Sequence, residues 1–403
     1  MITIDEALRA VLERSASLPP QSRSLGDALG CVLAEDVQAD LDLPPFDKAL
    51  VDGYAVRSSD LDGDDRWLRI GEEITAGRTP TRPLAAREAA AIMTGAPLPP
   101  EADAVVMVEL TRSQEGGVVI DEPVVRPGLN RLTRGREMRA GDVVLRRGER
   151  LNPPRIGLLA SVGRTEVRVV PRPRVAILPT GDELVEPGQV PGPGQIRNSN
   201  AAMLDAMARA AGAETAALPI ARDERASLQA RLRTGLAADL LVIAGGVSAG
   251  KRDLVPESLV SLGVVPVFHK VRLKPGKPLW FGVGPERDGA PGALVFGLPG
   301  NPVSGLVGFL LFVGPALDVL AGRPARGATV VEVRLARPFV HKGDRPTYHP
   351  SRWADESPRS VEPLDWAGSA DLRTVARADG FAIFPAGDRA YDAGDVVGFL
   401  PLS

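Results

Sequence analysis

Four short stretches of this chain carry residue types suited to holding phosphate-like groups. "LPGNPVSG" (residues 298–305) combines Gly300 with Asn301 as a helix cap and Pro302 at the first helical position. Free amides at such a helix start, with the helix dipole behind them, suit an anion; a well-capped buried helix accounts for Asn301 and Pro302 equally well. "GGVSAGKRD" (245–253) sets Gly245 and Gly246 where a phosphate-holding loop needs close backbone approach, and Ser248 offers a hydroxyl. Asp253 is either a metal-binding carboxylate or the cap of the next helix, and taken alone the cap is the simpler reading. "PTGDEL" (179–184) brings the adjacent acids Asp182 and Glu183, ordinarily a solvated pair. Carboxylates converging on a phosphate crevice are the usual means of holding Mg²⁺, which takes few protein ligands plus substrate oxygens. "RLKPGKPLWFG" (272–282) supplies Arg272, Lys274 and Lys277, stiffened by Pro275 and Pro278. It reads as a basic turn or as local positive charge for an oxyanion.

Two further polar positions stand in the first third of the chain. In "FDKALVDGYAVR" (46–57) Asp52 precedes Gly53, which by itself suggests a turn-former. In "IMTGAPLPPEADAVVMVE" (92–109) Thr94 and Gly95 end a strand-like run, where a hydroxyl can simply bond its own backbone. Other chemistries lack support. The three histidines (His269, His341, His349) are too scattered for a zinc site, and "GVSAG" is not in the G-x-S-x-G register of a nucleophile elbow. Aromatic residues, at 4 %, are too sparse for base-stacking platforms.

The elements that must carry these loops follow from hydrophobic periodicity. From 174 to 322, short β-branched runs ("RVAILP", "DLLVIAGG", "GALVFGLP") alternate with helical patterns, which predicts a largely parallel sheet with helices on both faces. The helix "NSNAAMLDAMARAAG" takes Ser199 or Asn200 as its cap. In an open parallel sheet, ligands bind beyond the carboxyl ends of the strands, and three of the polar loops follow such ends. Residues 44–150, rich in Pro, Gly and Arg, read as a small mostly-β module, and residues 323–403 as a terminal barrel or sandwich. The N-terminal "MITIDEALRAVLERS" reads as a helix with Thr3 and Glu6 at capping-box spacing rather than as a signal peptide. The longest apolar run, 303–322, is broken by Asp318, Pro315 and glycines and reads as a core helix. The formal charge of −3 provides no global field for nucleic acid or anionic membrane, so any anion site is local. A lone cysteine, Cys31, excludes an intramolecular disulfide framework and fits a reducing compartment. A cytoplasmic protein is expected.

Taken in order, "FDKALVDGYAVR", "IMTGAPLPPEADAVVMVE", "PTGDELVEPG", "GQIRNSNAAML", "AGGVSAGKRD", "KPGKP" and "LPGNPVS" resemble the molybdopterin molybdenumtransferase (molybdate insertase) family, which includes the E domain of gephyrin. The resemblance implies four domains: a composite elongated domain (1–43 and 142–172), a small β module (44–141), a molybdopterin-binding α/β domain (173–322) and a C-terminal β-barrel (323–403). It implies insertion of molybdenum from molybdate into adenylylated molybdopterin with release of AMP, assisted by Mg²⁺ or Zn²⁺. By motif match, Asp52, Glu183 and Asp253 would act on metal and adenylate, and Thr94 and Ser248 would contact substrate, beside Gly245, Gly246, Gly300 and Asn301. Lys274, Pro275 and Ser304 match oxyanion-holding positions; Arg345 in "KGDRPTY" and Ser369 in "WAGSAD" resemble the remaining molybdate positions. Family members are dimers in which the β module of one subunit faces the α/β crest of the other, so Asp52 would act across the interface. The adenylyltransferase that makes the substrate is an expected partner.

The chain departs from the family at Lys48, Ala49, Leu50 and Val51, where FDNSAMDGYAVR is usual, and at Asn198, where an aspartate is common. These departures leave open a paralogue of altered specificity or a non-catalytic scaffold. A shorter adenylyltransferase-like enzyme on the same α/β module is a further alternative, disfavoured by the β module and its "VDGYAVR".

Overall fold

The computed structural model describes residues 1–247, 254–287, 289, 291–325, 327, 329–354 and 359–402. The chain forms two compact units, one of Met1–Ser22, Gly30–Val32 and Arg168–Ser403, the other of Arg23–Leu29 and Leu33–Val167. The first helix, α1 (Ile4–Leu12), starts at the expected capping box, with the Thr3 side chain accepting from the Glu6 amide and Glu6 reaching back to the Thr3 amide.

The second unit is built on a six-stranded sheet of β1 (Gly53–Val56), β2 (Trp67–Ile74), β3 (Glu88–Ile92), β4 (Ala104–Met107), β5 (Thr111–Gln114) and β6 (Gly117–Ile120), in the order β4-β1-β3-β2-β6-β5. Strand β1 runs antiparallel to both neighbours, with Gly53 opposite Ile92 of β3 and Met107 of β4. Gly53 is therefore the first residue of a strand and not a turn glycine: a Cβ there would fall 1.9 Å from the Val106 carbonyl oxygen. The cost of any side chain at that close approach explains the "DG" pair better than turn formation does. The unit also holds α2 (Pro153–Ser161), capped by Asn152 and ended at Gly163 in the left-handed region.

The first unit contains the alternating block. Its strands are β7 (Arg174–Pro179), β8 (Glu214–Ala217), β9 (Leu240–Ala244), β10 (Val265–His269), β11 (Trp280–Val283) and β12 (Leu294–Leu298), in the order β8-β7-β9-β12-β11-β10. The first four in that order are parallel, and β11 and β10 close the edge antiparallel. Both faces are covered, which is why β7, β9 and β12 read as continuous apolar runs. Val175 and Ile177 point to one side with Leu204 and Ala208 of α3 (Ser199–Ala210) and Phe312. Ala176 and Leu178 point to the other, with Leu228 and Leu232 of α4 (Arg225–Gly235) and Val255 and Leu259 of α5 (Leu254–Ser261). The longest helix, α6 (Pro302–Leu320), is apolar and long enough to cross a membrane by length and composition, yet 78 % of its apolar window is buried inside the protein, so it is a core helix. It widens to a π-helical turn at Phe309–Val313, where the Gly314 amide bonds Phe309 O. The widening falls directly before Pro315, which has no N–H to continue a regular α-helical ladder.

The cap of α3 differs from expectation. Neither Ser199 nor Asn200 caps it; Asn198 does, accepting from the Ala201 amide at 3.2 Å while only 6 % exposed. A serine and an asparagine follow the true cap, and composition alone cannot distinguish three consecutive capping residues.

The C-terminal strands close a barrel of β13 (Val331–Leu335), β14 (Thr347–Trp353), β15 (Ser360–Pro363), β16 (Gly380–Phe384) and β17 (Val396–Pro401) in the order β13-β15-β14-β16-β17. Closure removes free sheet edges, and fully buried Phe384 and Phe399 fill its core together with Val361.

Candidate active site

Three of the polar loops do meet at the carboxyl ends of parallel strands. Thr180, directly after β7, donates its amide to Ala244 O at the end of β9, and Gly245 donates to Leu298 O at the end of β12. Gly245 and Gly246 have φ of +100° and +66°, and a Cβ at either would press on Thr180 (Oγ1 at 3.1 Å and 2.8 Å). Here glycine serves a loop packed against its neighbour as well as one open to a ligand.

The loops after β7 and β12, with Ala244 at the end of β9, bound a small cleft of about 60 Å³ lined by Thr180, Glu183, Arg197, Asn198, Asn200 and Gly300 among others; Gly245 and Gly246 are not in its lining. The N-termini of α3 and α6 both open on it, so two positive dipole ends point to one place, although α6 begins with Pro302, which has no N–H, and its Val303 amide is bonded to Ser369 O. The adjacent acids have separate employment. Asp182 accepts the Asp223 amide at 3.1 Å, while Glu183 lines the cleft, exposed. Arg222 secures this loop through its Nη1, which donates to the carbonyls of Asp182 (3.1 Å) and Leu184 (3.2 Å). Ser248 and Asp253 lie outside the described residues. Among the described residues no three His, Cys, Asp or Glu side chains cluster as a metal site would require.

The expected oxyanion residues gather at the seam of α/β domain and barrel. Lys274 donates its amide to Pro346 O (2.9 Å) and its carbonyl accepts from the Tyr348 amide (2.8 Å), while Arg345 Nη1 bonds Leu273 O at 3.0 Å. Pro275 follows in a cis peptide, and Gly276 then passes the first turn of α6, where an added Cβ would stand 3.6 Å from Ser304 O. Ser304 is only 4 % exposed. On the same turn the Val303 amide bonds Ser369 O at 3.1 Å, and Asn301 Nδ2 donates to Ser369 Oγ at 2.7 Å. Asn301 occupies the cap position of α6 without a side-chain cap bond, because its carboxamide is spent on Ser369. The turn 300–304 thus belongs both to the cleft and to the oxyanion seam. Beside Lys274, burial first, then the charges of Lys274 and Arg337, hold His349 below the usual histidine range, and the ring contacts Leu364 O through Nε2 at 2.9 Å.

In the other unit, Asp52 and Thr94 meet. Antiparallel pairing of β1 with β3 sets the residue before one strand beside the residues after the other. The Thr94 amide and hydroxyl donate to Asp52 Oδ1 at 2.6 Å and 2.7 Å. Those bonds, the backbone one foremost, hold the exposed Asp52 carboxyl below the usual aspartate range. Asp47, by contrast, is bound to Arg131 and to the Arg134 amide. Lys48 pairs with Glu137 at 3.4 Å and Ala49 is buried in the module core, so both departures from the family pattern have local structural employment.

The sequence did not single out Thr180, Arg197 or Arg222, and named Asn200 only as a candidate helix cap. Thr180 and Asn200 lay inside quoted motifs, but only the strand and helix register shows that they face the cleft.

Three family profiles match the chain: MoeA N-terminal region (domain I and II) over 2–163, probable molybdopterin binding domain over 176–319, and MoeA C-terminal region (domain IV) over 332–402. A molybdopterin molybdenumtransferase of Staphylococcus aureus is 33 % identical over 99 % of this chain and 95 % of its own length. One of Staphylococcus epidermidis is 33 % identical over 98 % and 94 %. A molybdopterin biosynthesis moea protein of Pyrococcus horikosii has the same fold, with TM-score 0.81 and 32 % identity over 100 % of this chain and 99 % of that one. Likeness at this level runs through the β module, the α/β domain and the barrel alike, and the chain belongs to the molybdopterin molybdenumtransferase family.

Proposed function

We propose that this enzyme of molybdenum cofactor biosynthesis takes molybdate and adenylylated molybdopterin, inserts molybdenum into the dithiolene and releases AMP. The observation that carries this reading is the cleft at the strand ends, where the N-termini of α3 and α6 converge beside Arg197 and share the turn 300–304 with Lys274, Ser304, Arg345 and Ser369. Helix amides suit the pyrophosphate, and the two cations with two hydroxyls suit a tetrahedral oxyanion. In this reading, rate comes from positioning and electrostatics rather than from a covalent protein nucleophile.

The donor set fits Mg²⁺ better than Zn²⁺. Among the described residues Glu183 is the one carboxylate lining the cleft, and Mg²⁺ is commonly held by one or two carboxylates with substrate phosphates, whereas zinc requires a compact protein cage. Glu183, with Asp253, would hold the ion, which when bound withdraws charge from the leaving adenylate. We further propose a homodimer in which Asp52 serves the cleft of the second copy. Leu50 (47 % exposed), Met93 (45 %) and Val108 (47 %) surround Asp52, and such an apolar rim suits burial against protein. The adenylyltransferase that makes the substrate would deliver it in the cytoplasm.

Incubation with adenylylated molybdopterin, molybdate and Mg²⁺ is expected to release AMP as active cofactor forms. Glu183→Gln should slow release by about 10²-fold or more, on the scale of losing one preorganised charged group. Absence of AMP release from the unmodified protein would overturn the assignment. Crystals soaked in molybdate should show anomalous density between Lys274, Ser304, Arg345 and Ser369.

A further inference from the structure

His341 and Thr347 flank the loop that carries Arg345, and each is only 3 % exposed. His341 ends the short strand Phe339–His341, and Thr347 opens β14. Their side chains meet, His341 Nε2 to Thr347 Oγ1 at 2.8 Å, so the two ends of the loop are bonded to each other. On the other side of the ring, Nδ1 stands 2.9 Å from Gly387 O. A carbonyl oxygen only accepts, so Nδ1 carries a hydrogen, and Nε2 of the neutral ring takes the hydrogen of the Thr347 hydroxyl. Phe384 of the barrel core stacks on the imidazole, 5.8 Å between centroids and 13° between planes. The loop is tied to the same segment from its middle. The Gly387 amide donates to Gly343 O at 2.7 Å, and the Gly343 amide donates to Asp388 Oδ1 at 3.0 Å.

The residue that His341 grips is the one opposite Lys274. Thr347 forms a parallel bridge with Lys274, whose amide and carbonyl bond the residues on either side of it, Pro346 and Tyr348. Arg345, two positions before Thr347, bonds Leu273 O. A shift of Thr347 therefore carries the Lys274 main chain and the Arg345 guanidinium with it. Burying an imidazole in an otherwise apolar core is costly unless both nitrogens are bonded, and here one bond reaches the end of the Arg345 loop and the other the segment that ties its middle. We infer that His341 is a positioning residue for the oxyanion seam. It staples the ends of loop 342–346 and, through Thr347, holds Lys274 and Arg345 in one arrangement without touching substrate. This inference rests on the oxyanion role proposed for that seam.

Steady-state AMP release, with molybdate and adenylylated molybdopterin varied in turn, tests the staple. His341→Asn places an amide nitrogen near the position of Nδ1 and loses the Thr347 bond, whereas His341→Gln reaches the position of Nε2 and keeps it. Thr347→Val removes the hydroxyl at constant shape, and Thr347→Ser retains it. His341→Asn and Thr347→Val should each raise the KM for molybdate about tenfold, the scale of one hydrogen bond, and leave the KM for adenylylated molybdopterin within about twofold. His341→Gln and Thr347→Ser should stay within about threefold of the unmodified protein for both substrates. The double variant His341→Asn, Thr347→Val should be no worse than either single one, because both break the same bond. Where His341→Asn does not fold, the Thr347→Val and Thr347→Ser pair carries the comparison. An unchanged KM for molybdate in the Asn and Val variants, or equal rises for both substrates, would overturn the positioning role and leave His341 to barrel stability, with the proposed reaction standing. AMP release from the unmodified protein that does not depend on molybdate would overturn the oxyanion role of the seam, and the staple's function with it.

Discussion

Asp52 illustrates how one carboxylate is set apart from its neighbours. Asp47, five residues earlier, is consumed by Arg131 and the Arg134 amide, whereas Asp52 keeps one oxygen on Thr94 and remains exposed. Its bonds favour the ionised form, so the depressed carboxyl stays charged to lower pH than an ordinary aspartate. Any stability it contributes is present above the unfolded value and lost as pH falls through the folded one. Thr94→Val keeps the backbone bond, the larger cause, and removes the hydroxyl. The Asp52 titration, followed by carboxyl-carbon NMR, should then move part of the way up toward the ordinary value, and an acid limb of activity due to Asp52 should move with it. An unaltered titration would show that the hydroxyl does not hold the carboxylate.

At the scale of elements, α3 and the β2–β3 pair make distinct demands. Asn198 stands where the family commonly has aspartate, and the fold uses it as the cap of α3. Asparagine and aspartate cap about equally well, so Asn198→Asp should leave stability within about 0.5 kcal/mol, while Asn198→Ala should cost about 1 kcal/mol, both read from denaturant midpoints. The substitution seen in this chain therefore changes charge beside the cleft without loosening the helix. On β3, Glu88 is 1 % exposed and held by Arg82, the Ala85 amide and Arg69, which together outweigh its burial and draw its carboxyl from 4.5 to about 2. Glu88→Gln should destabilise this unit by on the order of 2–3 kcal/mol at neutral pH, most of the linkage value allowing for the exposed arginines. Because the folded value lies below the unfolded one, this difference should be full above about 4.5 and shrink as pH falls toward about 2. A pH-independent difference in chemical denaturation would argue against an ionic origin.

For the whole molecule, the proposed dimer makes a prediction that no single subunit does. Asp52→Asn and Glu183→Gln each inactivate, and in a mixed dimer of the two one cleft carries both changes while the other carries neither. Equal mixing with exchange should restore about a quarter of the unmodified AMP-release rate, since about half the dimers are mixed and each has one intact site. No recovery, with mixed dimers demonstrated by mass, would place both carboxylates at a cleft supplied by one subunit.

Much of this was legible in the residues because it is local. Period-two and buried β-branched runs announced the strands, the capping box announced α1, and the polar loops after β7, β9 and β12 had to share a crest once the sheet was parallel. The family motifs then supplied residue identities that periodicity cannot. What the sequence left undecided depended on contacts between distant segments. Gly53 looked like a turn residue until β4 stood beside it, and Asn301 looked like a side-chain cap until Ser369, 68 positions later, claimed its carboxamide. Ser369 and Arg345 meet the α/β loops only because the barrel docks against the first turn of α6 and the Leu273–Lys274 segment. Spacing along a chain determines which face a residue takes within its own element; which partner waits on that face is decided by packing among elements.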